Sequence, residues 1–217
     1  MKFDAKTVSV LKNFSQINVS MLFREGNTVK VISPNKTVIA KANVPVTFDR
    51  RFAVKNLGVF LSTLSFYDDP DVSFNENNMT IKKDSSYTTL AYTPEETVKV
   101  PPEKDPVLPS IDISFRISAK ALSNIHKMIG TLGVPEIAII GDGNNLSVAA
   151  LDSKNSNSDS HTEVVGSTDK NFRLVFKAEN MKMISGDYNI DVCSRGISHY
   201  KGTEAEYWIA VEQNSTY

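Results

Sequence analysis

The sequence predicts an α+β protein built from two similar domains, each with two helices packed on β-sheets. Three observations lead there. One order of elements (a helix, about four strands, a second helix, three strands) occurs twice along the 217 residues. A proline-rich, charged stretch separates the two occurrences. The helix that opens each half is amphipathic, with lysine on its outward side.

The first helix lies within Asp4–Ser15, where Val8, Leu11 and Phe14 line one face and Lys6 and Lys12 lie roughly opposite. Short alternating or β-rich runs follow at Ile17–Phe23, Thr28–Ile32, Thr37–Ala42 and Val46–Phe52. The turn chemistry of Glu25–Asn27 and Ser33–Lys36 separates them. Lys55–Ser65 reads as a second helix, with Leu57, Phe60, Leu61 and Leu64 at i, i+3, i+4 and i+7. Asp68–Asp71 is a solvated turn around a proline. Strands at Val72–Phe74, Met79–Lys82 and Tyr87–Tyr92 complete the first domain, residues 1–92.

Residues 93–110 hold five prolines and six charges, which prevents a packed element and gives an extended, semi-rigid connector. Val107 and Leu108 form a small apolar anchor within it. The second domain, 111–217, begins with the strictly alternating Ile111–Ile117. The helix after it places Ala121, Leu122, Ile125, Met128 and Ile129 on one face, with Lys120, Asn124 and Lys127 opposite. Ser118 is its expected N-cap and Gly130 its expected stop. Strands at Glu136–Ile140 and Leu146–Leu151 flank a Gly141–Asn144 hairpin turn. Ser153–Ser160 is polar, low in complexity and expected to be mobile. Thr162–Val165 and Phe172–Lys177 are strands, Ala178–Met183 a short helix, and Tyr188–Val192, Gly196–Tyr200 and Tyr207–Glu212 the last strands.

Composition narrows the function classes. No apolar run approaches the ~18 residues of a membrane span, and Met1–Asp4 starts no secretory signal. Cys193 stands alone, so no intrachain disulfide forms, which suits a reducing cytoplasm. The net charge of −1 would argue against nucleic acid, but its distribution argues for it. The four helix candidates (2–16, 53–66, 118–132 and 177–184) carry eight lysines and two acids, a net of +6, and the remainder carries −7. Helix preference alone would bring glutamate along with lysine, and only Glu179 is there.

Catalytic signatures are missing: no phosphate loop of the GxxxxGK[ST] kind, no GxSxG elbow, no His-Glu-x-x-His and no paired CxxC. His126, His161 and His199 show no spacing for a metal site or for a triad with Cys193. The reading is a binding protein without cofactor or metal. Its rivals are a non-catalytic virion or scaffold protein and a small-ligand enzyme built around His126 or His199.

Asp4–Ile17 resembles the N-terminal helix of the DNA polymerase sliding clamps of tailed phages. Leu57–Leu64 and Glu179–Met183, the latter before a Gly-Asp-Tyr strand, resemble two later helices of that family. The resemblance spans almost the whole chain. It implies the DNA-clamp fold and a closed homotrimeric ring, with twelve helices lining a central hole and the sheets forming the outer wall. Such a clamp encircles duplex DNA of any sequence and tethers the replicative polymerase, while an ATP-dependent clamp loader acts on it. Family clamps from such phages also support late transcription. The location implied is the cytoplasm of an infected host cell.

A wall over which any sequence must slide wants point charges rather than base-reading forks. The resemblance therefore assigns Lys6, Lys12, Lys55, Lys120, Lys127, Lys177 and Lys182 to the DNA-facing side, with Asn124 as a polar neighbour. It implies a pocket for a partner's apolar peptide between the connector and the last strand. Val107, Leu108, Trp208 and Ala210 would line it, and Ser33–Lys36 would lie nearby. It also implies subunit contacts between edge strands, for which Tyr87, Leu90, Tyr92, Thr162 and Val164 are the candidates.

Overall fold

The computed structural model describes residues 1–155 and 157–217. Residue 156, within the Ser153–Ser160 segment expected to be mobile, lies outside the described residues. The chain divides into two compact units, Met1–Lys104 and Asp105–Tyr217.

In unit 1, α1 (Ala5–Ile17) is followed by β1 (Met21–Phe23), β2 (Gly26–Ile32), β3 (Val38–Phe48) and β4 (Phe52–Val54). Then come α2 (Leu57–Phe66), β5 (Asp71–Phe74), β6 (Asn78–Lys83) and β7 (Ser86–Ala91). Asp4 caps α1: its Oδ1 accepts the Thr7 N–H at 3.0 Å and its Oδ2 the Thr7 hydroxyl at 2.7 Å. The helix buries Thr7, Val10, Leu11 and Phe14, so Val8 sits at the margin of the face rather than within it. Helix α2 buries the predicted Leu57, Phe60, Leu61 and Leu64 and packs against α1. An aromatic cluster fills the space between sheets and helices. Phe23 stacks on Phe52 at 4.8 Å, Phe52 on Tyr92 at 4.9 Å, and Phe3 meets Phe60 edge-on at 5.5 Å.

Two boundaries differ from the sequence reading. Asn56, not Lys55, caps α2, its Oδ1 accepting the Val59 N–H at 3.2 Å, so Lys55 precedes the helix. Strand β3 runs unbroken through Pro45, where two strands were expected. Its ladder with β2 jumps from Phe48 opposite Gly26 to Asn43 opposite Thr28. Pro45 falls in that irregularity, a kind of position where a strand tolerates proline.

In unit 2, β8 (Ile113–Ile117) leads into α3 (Ala119–Leu132). After the helix come β9 (Glu136–Asp142), β10 (Asn145–Leu151), β11 (His161–Ser167), β12 (Asn171–Lys177), β13 (Tyr188–Cys193), β14 (Ile197–Lys201) and β15 (Glu206–Ala210). Strands β11-β10-β9-β12 form one antiparallel sheet, on which α3 packs, and β15-β14-β13-β8 are successive neighbours in a second. In unit 1, β5-β6-β7 form a three-stranded sheet. Ser118 caps α3 as expected, but the helix runs past Gly130 and ends at Gly133. Gly133 takes the left-handed conformation (φ 67°) and donates its N–H to Ile129 O at 2.9 Å.

The helix expected at Ala178–Met183 is a single 3-10 turn, Ala178–Asn180. No side chain caps it, and a stretch this short cannot offset the cost of helix nucleation. Tertiary bonds hold the segment instead. Ala178 N–H reaches Pro135 O at 2.8 Å, Ile184 N–H reaches the Tyr207 hydroxyl at 3.1 Å, and the Tyr188 hydroxyl reaches Ile184 O at 2.6 Å.

Candidate nucleic-acid interface and docking surfaces

Helical spacing sets the lysines of α1 and α3 apart from the buried faces. Lys6 and Lys12 on α1 and Lys120 and Lys127 on α3 are all exposed. Lys55, Lys177 and Lys182 are exposed too, but none is helical: Lys55 precedes the α2 cap, Lys177 ends β12, and Lys182 comes after the 3-10 turn. Asn124 is half-buried and its amide faces inward, donating to Glu163 Oε2 at 3.2 Å and Oε1 at 3.4 Å on β11. Its polar group is thus turned to the protein rather than outward.

On unit 2, cross-strand register places Ser114, Asp191, His199 and Trp208 in one row over β8, β13, β14 and β15. Trp208 is only 3% exposed and stacks on His199 at 4.3 Å and 12°. The ring of His199 meets Glu206 Oε2 at 2.8 Å. Burial outweighs this carboxylate and holds the His199 pKa below the ordinary value, so the ring is neutral at pH 7. The next row is Cys193, Ile197 and Ala210. Ser110 Oγ lies 3.3 Å from Cys193 Sγ, which brings Leu108 and Val107, just upstream, to that end of the sheet. Val107 is 85% exposed and Leu108 half-buried, while Tyr207 and Ile209, on the other face of β15, are fully buried.

The first part of the expected connector belongs to unit 1. Arg51 grips Glu95 through Nε (2.8 and 2.9 Å) and Nη2 (2.6 Å), and this contact holds the Glu95 pKa below the usual range. Lys99 Nζ donates to Pro34 O at 2.6 Å, tying the connector to the Ser33–Lys36 turn, and Lys30 Nζ donates to Glu103 O at 2.7 Å. Val98 is buried with Leu22 and Ala53. Beneath this strap lies a cavity of about 220 Å³, lined by Leu22, Arg24, Thr28, Lys30, Val100 and Pro101 among others.

The edge-strand candidates fall on real edges. Strand β7 ends the three-stranded sheet of unit 1 and β11 the four-stranded sheet of unit 2. Tyr87 and Val164 are exposed, as is Thr162, while Leu90 and Tyr92 flank the same edge. Tyr92 lies past β7 with its ring inside, against Phe52. Sequence reasoning missed Val59 (50% exposed) and Phe66 (78% exposed), which with Thr88 line an open groove between α2 and β7. The available signal was two large apolar side chains off the buried stripe of α2.

Similarity to known proteins identifies the kind of molecule that carries these surfaces. Residues 2–97 match the model of the DNA polymerase processivity factor family, and residues 114–213 match that of the C-terminal part of the gp45 sliding clamp. The sliding clamp of Vibrio phage KVP40 is 30% identical over 98% of this chain and 99% of its own length. The chain belongs to the sliding-clamp family. This clamp is a DNA polymerase processivity factor, and a virion or scaffold role is not favoured. Its fold is that of solved clamps. The PCNA of Thermococcus kodakaraensis aligns over 98% of this chain and 99% of its own, with a TM-score of 0.70 and 16% identity. An A. fulgidus PCNA bound to the C-terminal region of FEN-1 aligns over 99% and 98%, with a TM-score of 0.68 and 12% identity.

Proposed function

We propose that three copies of this chain close into a ring around duplex DNA and hold the polymerase there without performing chemistry. The observation that carries this is the pairing of two features. Lysines stand off the buried faces of α1 and α3, and open edges lie at β7 and β11. The lysines attract phosphate without reading bases. The edges let one copy's β7 continue another copy's β11, with Val59, Phe66, Tyr87 and Val164 covered in the process. The domains are 1–92 and 111–217, with 93–110 between them.

Lys6, Lys12, Lys120 and Lys127 are the main DNA contacts in this reading, and Lys55, Lys177 and Lys182 add charge at their margins. The polymerase and an ATP-dependent loader insert an apolar peptide between Val107, Leu108 and the Trp208–Ala210 face; solved relatives bound to a FEN-1 C-terminal region and to a DNA ligase peptide support this reading. Late-transcription factors are further candidates for the same surface. The setting is the cytoplasm of an infected cell. Light scattering over a dilution series tests the ring: a species of three times 24.0 kDa is expected. A protein that stays monomeric at every concentration refutes it.

A further inference from the structure

The four-stranded sheet of unit 2 has two edges, β11 and β12, and only β11 is open. Past β15 the chain turns back along β12. Thr216 exchanges both backbone bonds with Arg173: its N–H reaches Arg173 O at 2.8 Å and its O accepts the Arg173 N–H at 3.0 Å. Val175 donates its N–H to Ser215 Oγ at 2.8 Å and accepts the Glu212 N–H at 2.9 Å. All four outward backbone groups of Arg173 and Val175 are thereby satisfied, as alternate residues of an edge strand require.

The three-stranded sheet of unit 1 repeats the arrangement. Met1 and Val72 exchange bonds of 2.8 Å in both directions, which closes β5, and Lys2 anchors the segment on Asp69 at 3.0 Å. In each sheet, then, one edge is closed by the chain itself and the other is left open. The closure over β12 is irregular: a serine side chain stands where a strand would present a carbonyl. It blocks pairing without adding a full strand that would itself expose a new ladder.

We propose that residues 212–216 are an edge cap, and that β12 is a latent strand-docking site whose partner, once the cap is lifted, is an open strand of a second copy of this chain. A second copy is the fitting occupant because every copy already presents open edge strands, β7 and β11 among them. The inference rests on the reading that those two strands join copies, and it accounts for β12 not joining with them. With β12 open, a further edge becomes available, its contacts need not close on themselves, and growth continues past a fixed number of subunits.

The test compares the full chain with a variant lacking residues 212–217 and with Thr216→Pro, which removes the N–H bonded to Arg173 O. Mass is measured by light scattering over a dilution series, and thermal melting checks that each variant folds. The capless chain is expected to rise in mass with concentration, at least two-fold above the full chain. Arg173→Pro placed in that background is expected to restore the full-chain mass. It removes the edge-facing donor of β12 at a position where an edge strand tolerates proline.

Folded variants that keep the full-chain mass at every concentration overturn the proposal. Growth that Arg173→Pro does not reverse overturns it as well, because another surface is then responsible. If the deletion does not fold, Thr216→Pro decides. A monomeric full chain removes the β7–β11 reading alone, and its comparison with the capless chain still decides the cap.

Discussion

Reversing Lys120 and Lys127 together should weaken the hold on DNA without weakening the fold. Seven helical residues place the two side chains about 10 Å apart along α3 and about 20° apart around it. One DNA strand carries a phosphate about every 3.4 Å of axis, so the pair spans about three phosphates. Each lost contact makes the dependence of log K on log salt shallower by about 0.9, hence about 1.8 for the pair. Referred to 1 M salt, that is about a 60-fold loss at 0.1 M, before any repulsion from the new carboxylates. The fold should not suffer. Lys120 is the second residue of α3, where a glutamate favours the helix dipole by about 0.3–1 kcal/mol. Lys127 is exposed, where substitutions cost within about 0.5 kcal/mol. The assays are salt titrations of duplex binding and retention of loaded clamp on circular DNA through gel filtration. An unchanged salt slope together with unchanged retention would refute the placement of α3 against DNA.

Four further outcomes are expected. Val107→Glu, at an 85% exposed position, should leave the melting temperature alone and lower affinity for an apolar peptide of the polymerase at least ten-fold by calorimetry; equal affinity removes Val107 from the pocket. Gly141→Ala should destabilise by about 1–3 kcal/mol in urea, because a Cβ there meets Lys170 O and Phe172 Cε1 at 2.6 Å each, and a backbone carbonyl cannot step aside. For His199, burial lowers the folded pKa, so below its ordinary 6.5 the unfolded chain takes up the proton first and stability falls as pH drops. The fluorescence of Trp208, the only tryptophan, should then quench with a midpoint below 6.5 as the stacked ring becomes charged, and His199→Gln should abolish that titration. The Arg51–Glu95 clasp should release as pH falls below about 4.5 through the lowered Glu95 pKa, read as faster proteolysis within 93–104. Both partners are well exposed, so Arg51→Ala should cost global stability less than about 1 kcal/mol.

Strong periodicity made part of the fold legible in the sequence. The stripe of α2 and the Ser118 cap of α3 were in place because side-chain spacing and a capping hydroxyl act locally. The end of α3 was not, because Gly130 and Gly133 are both permissive and only the packing of the downstream chain decides which turns left-handed. The continuity of β3 through Pro45 depends on a register jump in its partner, which no local pattern carries. The Glu179–Met183 stretch has helix-forming residues but takes its shape from Pro135, Tyr188 and Tyr207, which its own pattern does not encode. Within the candidate site, lysine placement on α1 and α3 was readable. The inward turn of Asn124 was not, since its partner Glu163 lies 39 residues away.

That last bond has an evolutionary consequence. Glu163 sits between Thr162 and Val164 on the open strand β11, and through Asn124 it fastens the helix that carries Lys120 and Lys127. A change at position 163 therefore reaches two surfaces at once, so drift there is constrained twice over. Lineages that lose the glutamate should alter position 124 as well, and the two positions should be inherited as a pair.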